Sequence, residues 1–174
     1  FRGTSNLISF SSGDCDTSTM TGVFASITNM MTASGVVTVD ASTMDVSGIT
    51  NMGNGIFWNA SNMVACDIST WEMGQVTRFD DLFRGCSSLE NVGFIANWDI
   101  TSITNAIRFL DGANLALTTA EYDAVLIAWA AQAVQSGLTI SFGDATYTAG
   151  GAAEAARNTL TNTYNWTIFD GGPV

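Results

Sequence analysis

The stretch Phe83-Arg84-Gly85-Cys86-Ser87-Ser88-Leu89 decides the fold, because the chain repeats it. Twenty-six residues upstream stands Phe57-Trp58-Asn59-Ala60-Ser61-Asn62-Met63, and 26 downstream Phe109-Leu110-Asp111-Gly112-Ala113-Asn114-Leu115. Met31-Thr32-Ala33-Ser34-Gly35-Val36-Val37 and Phe1-Arg2-Gly3-Thr4-Ser5-Asn6-Leu7 fit the same frame, the first spacing stretching to 30. Each copy reads large apolar, variable, small or turn-forming, tiny, tiny, variable, then Leu, Val or Met. A fixed period of roughly 20–50 residues marks stacked units, none of which buries its apolar side alone. Stacking sets each Phe and Leu over its equivalent in the neighbour, and the tiny positions let successive backbones approach closely.

The expected architecture is an α/β repeat solenoid with a parallel sheet. Residues 1–116 form units of about 26 residues anchored at Phe1, Met31, Phe57, Phe83 and Phe109. The runs Leu7-Ile8-Ser9-Phe10, Val37-Thr38-Val39, Met63-Val64-Ala65-Cys66 and Leu89 to Phe94 read as short strands side by side. A second recurring segment, Ile27-Thr28-Asn29-Met30, Ile49-Thr50-Asn51-Met52, Val76-Thr77-Arg78-Phe79 and Ile103-Thr104-Asn105-Ala106, fits either one helical turn or a second short strand. Trp71 and Trp98 precede it in the same phase and are read as core.

From residue 117 the pattern changes to a C-terminal α/β cap, 117–174, continuing the same core. Thr118-Thr119-Ala120-Glu121 is a capping box opening a helix expected to run to about Gln135, with Tyr122, Val125, Leu126 and Trp129 on its packed face and Gly137 as its stop. Leu138-Thr139-Ile140-Ser141-Phe142 reads as a strand, Gly151 to Leu160 as a second helix, and Asn165-Trp166-Thr167-Ile168-Phe169 as a last strand. Gly150-Gly151 reads as a tight turn before that helix, not a phosphate loop.

Composition narrows function. Hydrophobic residues make up 47% and charged residues 12%, with 16 acidic against five basic residues, no His, and a net charge of −11. That charge repels nucleic acid and anionic membranes, and no apolar run is long enough to insert into a bilayer. Without His or Lys, Ser-His-Asp, Cys-His, Schiff-base and phosphate-loop chemistry are excluded. The adjacent pair Asp80-Asp81 is read as a solvated turn, and Asp14 and Asp16 lack the loop pattern of a calcium site. Cys66 and Cys86 fill small buried slots, Cys15 leaves the count odd, and the sequons at Asn59 and Asn165 carry little weight. No cofactor, metal site or catalytic residue is expected. Because Phe1 is already an anchor, the chain is expected to continue a longer polypeptide or to be covered there by a partner.

Phe83-Arg84-Gly85-Cys86-Ser87-Ser88-Leu89, followed by Asn97-Trp98-Asp99-Ile100-Thr101-Ser102-Ile103-Thr104-Asn105, resembles the BspA-like leucine-rich-repeat surface proteins. So does the tail, through Tyr122 to Trp129, Phe142-Gly143, Tyr147-Thr148-Ala149-Gly150, Trp166-Thr167-Ile168 and Asp170-Gly171-Gly172. The resemblance implies a leucine-rich-repeat-like array, exposed on a bacterial surface or on a phage tail or virion, that binds protein or glycan without catalysis. A structural element capping or decorating a larger extracellular or virion assembly is the alternative, its partners being other chains at the open N-terminal end. The candidate ligand-binding residues are Trp58, in the variable slot after the anchor, with Asn59 and Arg84.

Overall fold

The structure is a computed structural model that describes residues 9–11, 22–23, 38–42, 45–53, 56–114 and 116–174. The sequence readings at Phe1, Asp14, Cys15, Met31 and Leu115 lie outside the described residues. Two parallel ladders run through the chain. In the first, β1 (Ser9–Ser11) pairs with β3 (Thr38–Asp40), which pairs with β5 (Ala65–Asp67), and Ala65 bridges on to Asn91. In the second, β2 (Gly22–Val23) pairs with β4 (Ile49–Asn51), then Asn51 bridges to Arg78 and Arg78 to Asn105. The Ile49 and Val76 segments are therefore strand-like, not helical turns.

The second ladder continues into the tail. Ala106 bridges to Ile140 in β6 (Thr139–Ser141), and β6 pairs in parallel with β8 (Thr167–Phe169). A last parallel pair joins β7 (Thr146–Tyr147) to β9 (Gly172–Pro173). Between strands lie α1 (Thr119–Ala130) and α2 (Ala152–Asn162), which pack on each other. The capping box forms as read, Thr118 Oγ1 accepting from the Glu121 N–H while Glu121 takes the Thr118 N–H. The first helix ends at Ala130 with Ala131 as its C-cap, short of the expected Gln135. The Gln132 amide instead accepts the Ile100 N–H at 2.9 Å and donates to the Trp98 carbonyl at 2.9 Å, pulling the chain onto the preceding unit.

A single core runs from Val39 to Trp166. Phe57 and Phe83 stack with centroids 5.0 Å apart, Phe83 meets Phe109 edge-on at 6.0 Å, and Phe109 meets Phe142 at 6.3 Å. Four indoles tie neighbouring units together through hydrogen bonds. Trp71 donates to the Ala41 carbonyl, Trp98 to Ile68, Trp129 to Ile95 and Trp166 to Gln135, at 2.8–3.2 Å. A buried indole N–H needs such an acceptor, and the carbonyl one unit back supplies it. Hydroxyls do the same at the surface, Thr104 donating to the Thr77 carbonyl and Thr77 to Thr50.

The backbone corrects one detail of the sequence frame. Phe83 N–H donates to the Phe109 carbonyl and Gly85 N–H to Asp111, just as Phe57 donates to Leu82 and Asn59 to Arg84. In a parallel ladder this sets Leu110, not Phe109, opposite Phe83. The apolar doublets Ile56-Phe57, Leu82-Phe83 and Phe109-Leu110 are all buried, so the aromatic can occupy either place. Cys86 and Ala113 then fall in one column with Ala60, and the buried free thiols Cys66 and Cys86 pack as small apolar groups. The Cys86 Sγ donates to the Phe57 carbonyl, and burial pushes its thiol pKa up to about 12.

Candidate functional site

The turn after each apolar doublet presents one side chain to solvent, and the corrected register makes these Trp58, Arg84 and Asp111. They touch in sequence along the stack. The Arg84 guanidinium lies 5.9 Å from the Trp58 ring centroid, and its Nε lies 3.7 Å from the Asp111 Oδ2. Trp58 is 36% exposed despite being aromatic, so the indole is displayed, with one face toward a cation. The slot is not exposed at Leu110, which is fully buried because it belongs to the doublet.

The column is built by tight left-handed turns. Asn59, Gly85 and Gly112 all have positive φ, 59°, 74° and 70°. A Cβ on Gly85 would run into the Asn59 side-chain oxygen, so Gly is required there once Asn precedes it in the stack. Asn59 is exposed, but this placement makes it a turn former whose carboxamide leans on the next unit.

Beside this column runs a second one of charge. Arg108 donates from Nε and Nη2 to the two oxygens of Asp81, at 2.6 and 2.9 Å. Both residues have positive φ, 58° and 59°, which brings their side chains face to face. Asp80, read from sequence as solvated, is buried: Arg78 donates to it from Nε at 3.0 Å and Nη2 at 3.2 Å. A carboxylate can enter this turn because the preceding unit has Gly53 at the point of contact, where a Cβ would collide with Asp80. Asp80 and Asp81 thus serve two different arginines.

At the C-terminal end the columns border a hollow of about 300 Å³ lined by Ile107, Arg108, Asp111, Thr139, Ser141 and Phe169. Ile107 is 37% and Phe169 60% exposed. The sequence reading named Trp58, Asn59 and Arg84 and did not name Asp111, Arg108, Ile107 or Phe169. The column Ala60, Cys86, Ala113 was the signal that would have placed Asp111 beside Arg84. Among the described residues no three His, Cys, Asp or Glu side chains stand close enough to hold a metal ion. No described helix is long and apolar enough to cross a membrane.

Trp58, Arg84, Asp111 and the units that carry them lie in a segment that also matches a known family. Residues 18–146 match the family described as Mycoplasma protein of unknown function, DUF285, and the chain belongs to that family. The match crosses from the repeated units through α1 and β6 into β7, so the family's unit includes the start of the tail. No curated protein and no solved structure matches the chain.

Proposed function

We propose that the chain is a non-catalytic recognition or adhesion module of the BspA-like leucine-rich-repeat type, displayed on a bacterial surface or on a phage tail or virion. In this reading the parallel ladders are successive turns of an α/β solenoid, and residues 117–174 close it as a cap. Support comes from the pairing of residues 26–29 positions apart along the first ladder and from the association of the matched family with BspA-like surface proteins. The observation that carries the function is the exposed column of Trp58, Arg84 and Asp111 on a scaffold whose other indoles are buried. An indole, a guanidinium and a carboxylate set in line on rigid turns give one apolar and two hydrogen-bonding anchors for a receptor. Arg78, Arg84 and Arg108 are each matched by an aspartate, which leaves the described residues of this face without a basic patch for nucleic acid.

The test is binding of labelled chain to whole bacterial and host cells, with Trp58→Ala and Arg84→Ala compared with wild type. Saturable binding that drops about tenfold or more in both variants is expected. Binding unchanged in both would remove the column from the reading, and absence of binding by the folded chain would leave the structural role at an assembly.

A further inference from the structure

We propose that the hollow beside Asp111 is a subsite for one ring of a neutral pyranose sugar, which narrows the recognition reading above to glycan and rests on it. A pyranose offers a face of C–H groups and an edge of hydroxyls, so it needs an apolar wall with polar groups across from it. Both are present. Phe169 and Ile107 are the exposed apolar residues of the lining, and Thr139, Ser141, Asp111 and Arg108 are its polar and charged ones. Exposed aromatic rings are the common platform for such stacking, because they hold a large rigid apolar face at little entropic cost. At about 300 Å³ the hollow sits at the lower end of the roughly 300–1,000 Å³ range of small-ligand sites, which suits one ring or two but not a long segment.

Charge argues for a neutral ring. Arg108 in the lining is matched by Asp81, Arg84 beside Asp111 is matched by that carboxylate, and Arg157, bonded to the Ile168 carbonyl, is matched by Asp170. An anionic sugar would have to open the bidentate Arg108–Asp81 pair and approach a chain of net charge −11. A protein receptor is disfavoured by size. A stable interface buries roughly 800 Å² per partner, whereas the large apolar side chains around the hollow are only Ile107 and Phe169. Trp58 lies farther along the same stack, joined to the hollow through Arg84 and Asp111, so a glycan longer than one residue has a second aromatic to follow.

The experiment uses the full chain against an array of neutral oligosaccharides ending in glucose, galactose, mannose or N-acetylglucosamine, beside sialylated and sulfated ones and whole cells. Phe169→Ala and Thr139→Val are tested with wild type, and circular dichroism confirms that each is folded. Wild type is expected to bind neutral ends, with affinity about tenfold weaker in Phe169→Ala and weaker in Thr139→Val, and cell binding is expected to fall with excess free monosaccharide. Cell binding that survives both Phe169→Ala and excess sugar overturns the sugar subsite and leaves the recognition reading standing. Binding confined to anionic glycans also overturns it. A folded wild type that binds neither cells nor glycans overturns both.

Discussion

Arg157 holds Asp170 from α2 across to the turn after β8, its Nε 2.8 Å from Oδ2 and its Nη2 3.3 Å from Oδ1. The Asp170 side chain is only 4% exposed, and the Tyr122 hydroxyl donates to the same Oδ2 at 2.7 Å. The contact joins α1, α2 and the final turn. Removing the cation alone strands a buried carboxylate, so Arg157→Ala is expected to destabilise the chain by about 3 kcal/mol. Asp170→Asn added to it should recover part of that loss. Urea titration of the three chains checks this, and a loss below about 1 kcal/mol for Arg157→Ala would mean that water reaches Asp170.

Two glycines in the same backbone region separate strain from crowding. Gly137 has φ +78° and nothing within 4 Å of a Cβ placed on it, so Gly137→Ala is expected to cost about 1 kcal/mol from conformation alone. Gly143 has φ +61°, and its Cβ would stand 2.8 Å from the Leu110 carbonyl and 3.0 Å from that of Ala113. Both are backbone atoms in the stack and cannot swing away. Gly143→Ala should therefore cost about 3 kcal/mol, and equal costs for the two would argue that the turn at Gly143 relaxes freely.

Stability should fall on the alkaline side. Burial raises the Cys66 thiol well above its ordinary value of 9.0, with Cys86, Asp67 and Asp40 adding to it, and pushes Cys86 to about 12. A raised folded-state pKa favours the neutral native state, so this contribution is complete below about pH 9 and is lost as pH rises toward 12. Cys86 is expected to remove about 1.4 kcal/mol per pH unit in that window, and Cys66 acts in the same direction. Burial, then the hydrogen bond to Asp170, raises Tyr122 as well and steepens the limb above its ordinary value of 10.0. Denaturation of Cys86→Ala between pH 9 and 11 should show a shallower slope than wild type. Identical slopes would mean that Cys86 ionises as easily folded as unfolded.

Two tryptophans should behave as opposites. Trp98 is buried, stacks on Trp129 with centroids 6.5 Å apart and donates to the Ile68 carbonyl. Trp98→Phe loses the donor and part of the ring, with an expected cost of about 2–3 kcal/mol. Trp58→Ala should stay within about 0.5 kcal/mol of wild type, because the indole is displayed and its partner Arg84 also has Asp81 and Asp111 nearby. Thermal unfolding of both variants is the check, and a large loss in Trp58→Ala would make that indole part of the packing.

Much of this arrangement can be read from residues. The period placed the strands at Thr38–Asp40 and Ala65–Asp67, the buried Trp71 and Trp98 and the small buried Cys66 and Cys86, while the capping box at Thr118 was legible from its own four residues and the Leu89 to Phe94 run keeps only the bridge at Asn91. The ambiguity of the Ile49 and Val76 segments was settled by hydrogen bonds to residues 27 positions away, which no local propensity contains. The one-residue slip at Phe109 arose because two adjacent buried positions accept either Phe or Leu, so hydrophobicity alone could not fix the frame. That slip hid Asp111 from the exposed column. Asp80 was misread as solvated because two adjacent acidic residues look like an exposed turn, while its burial depends on the missing side chain of Gly53 in another unit.

The indole ladder makes the length of this chain a quantity that changes in whole steps. The N–H of Trp71, Trp98, Trp129 and Trp166 each finds its acceptor 30–34 residues upstream, in the unit it rests on, so a gain or loss of one complete turn hands each of these four indoles a fresh carbonyl. An insertion of any other size within the core segments leaves a donor facing apolar side chains and shifts every later turn out of phase. On the solenoid reading proposed above, adding or removing one whole turn preserves this pairing, and the exposed Trp58, Arg84 and Asp111 positions then supply one variable side chain per turn.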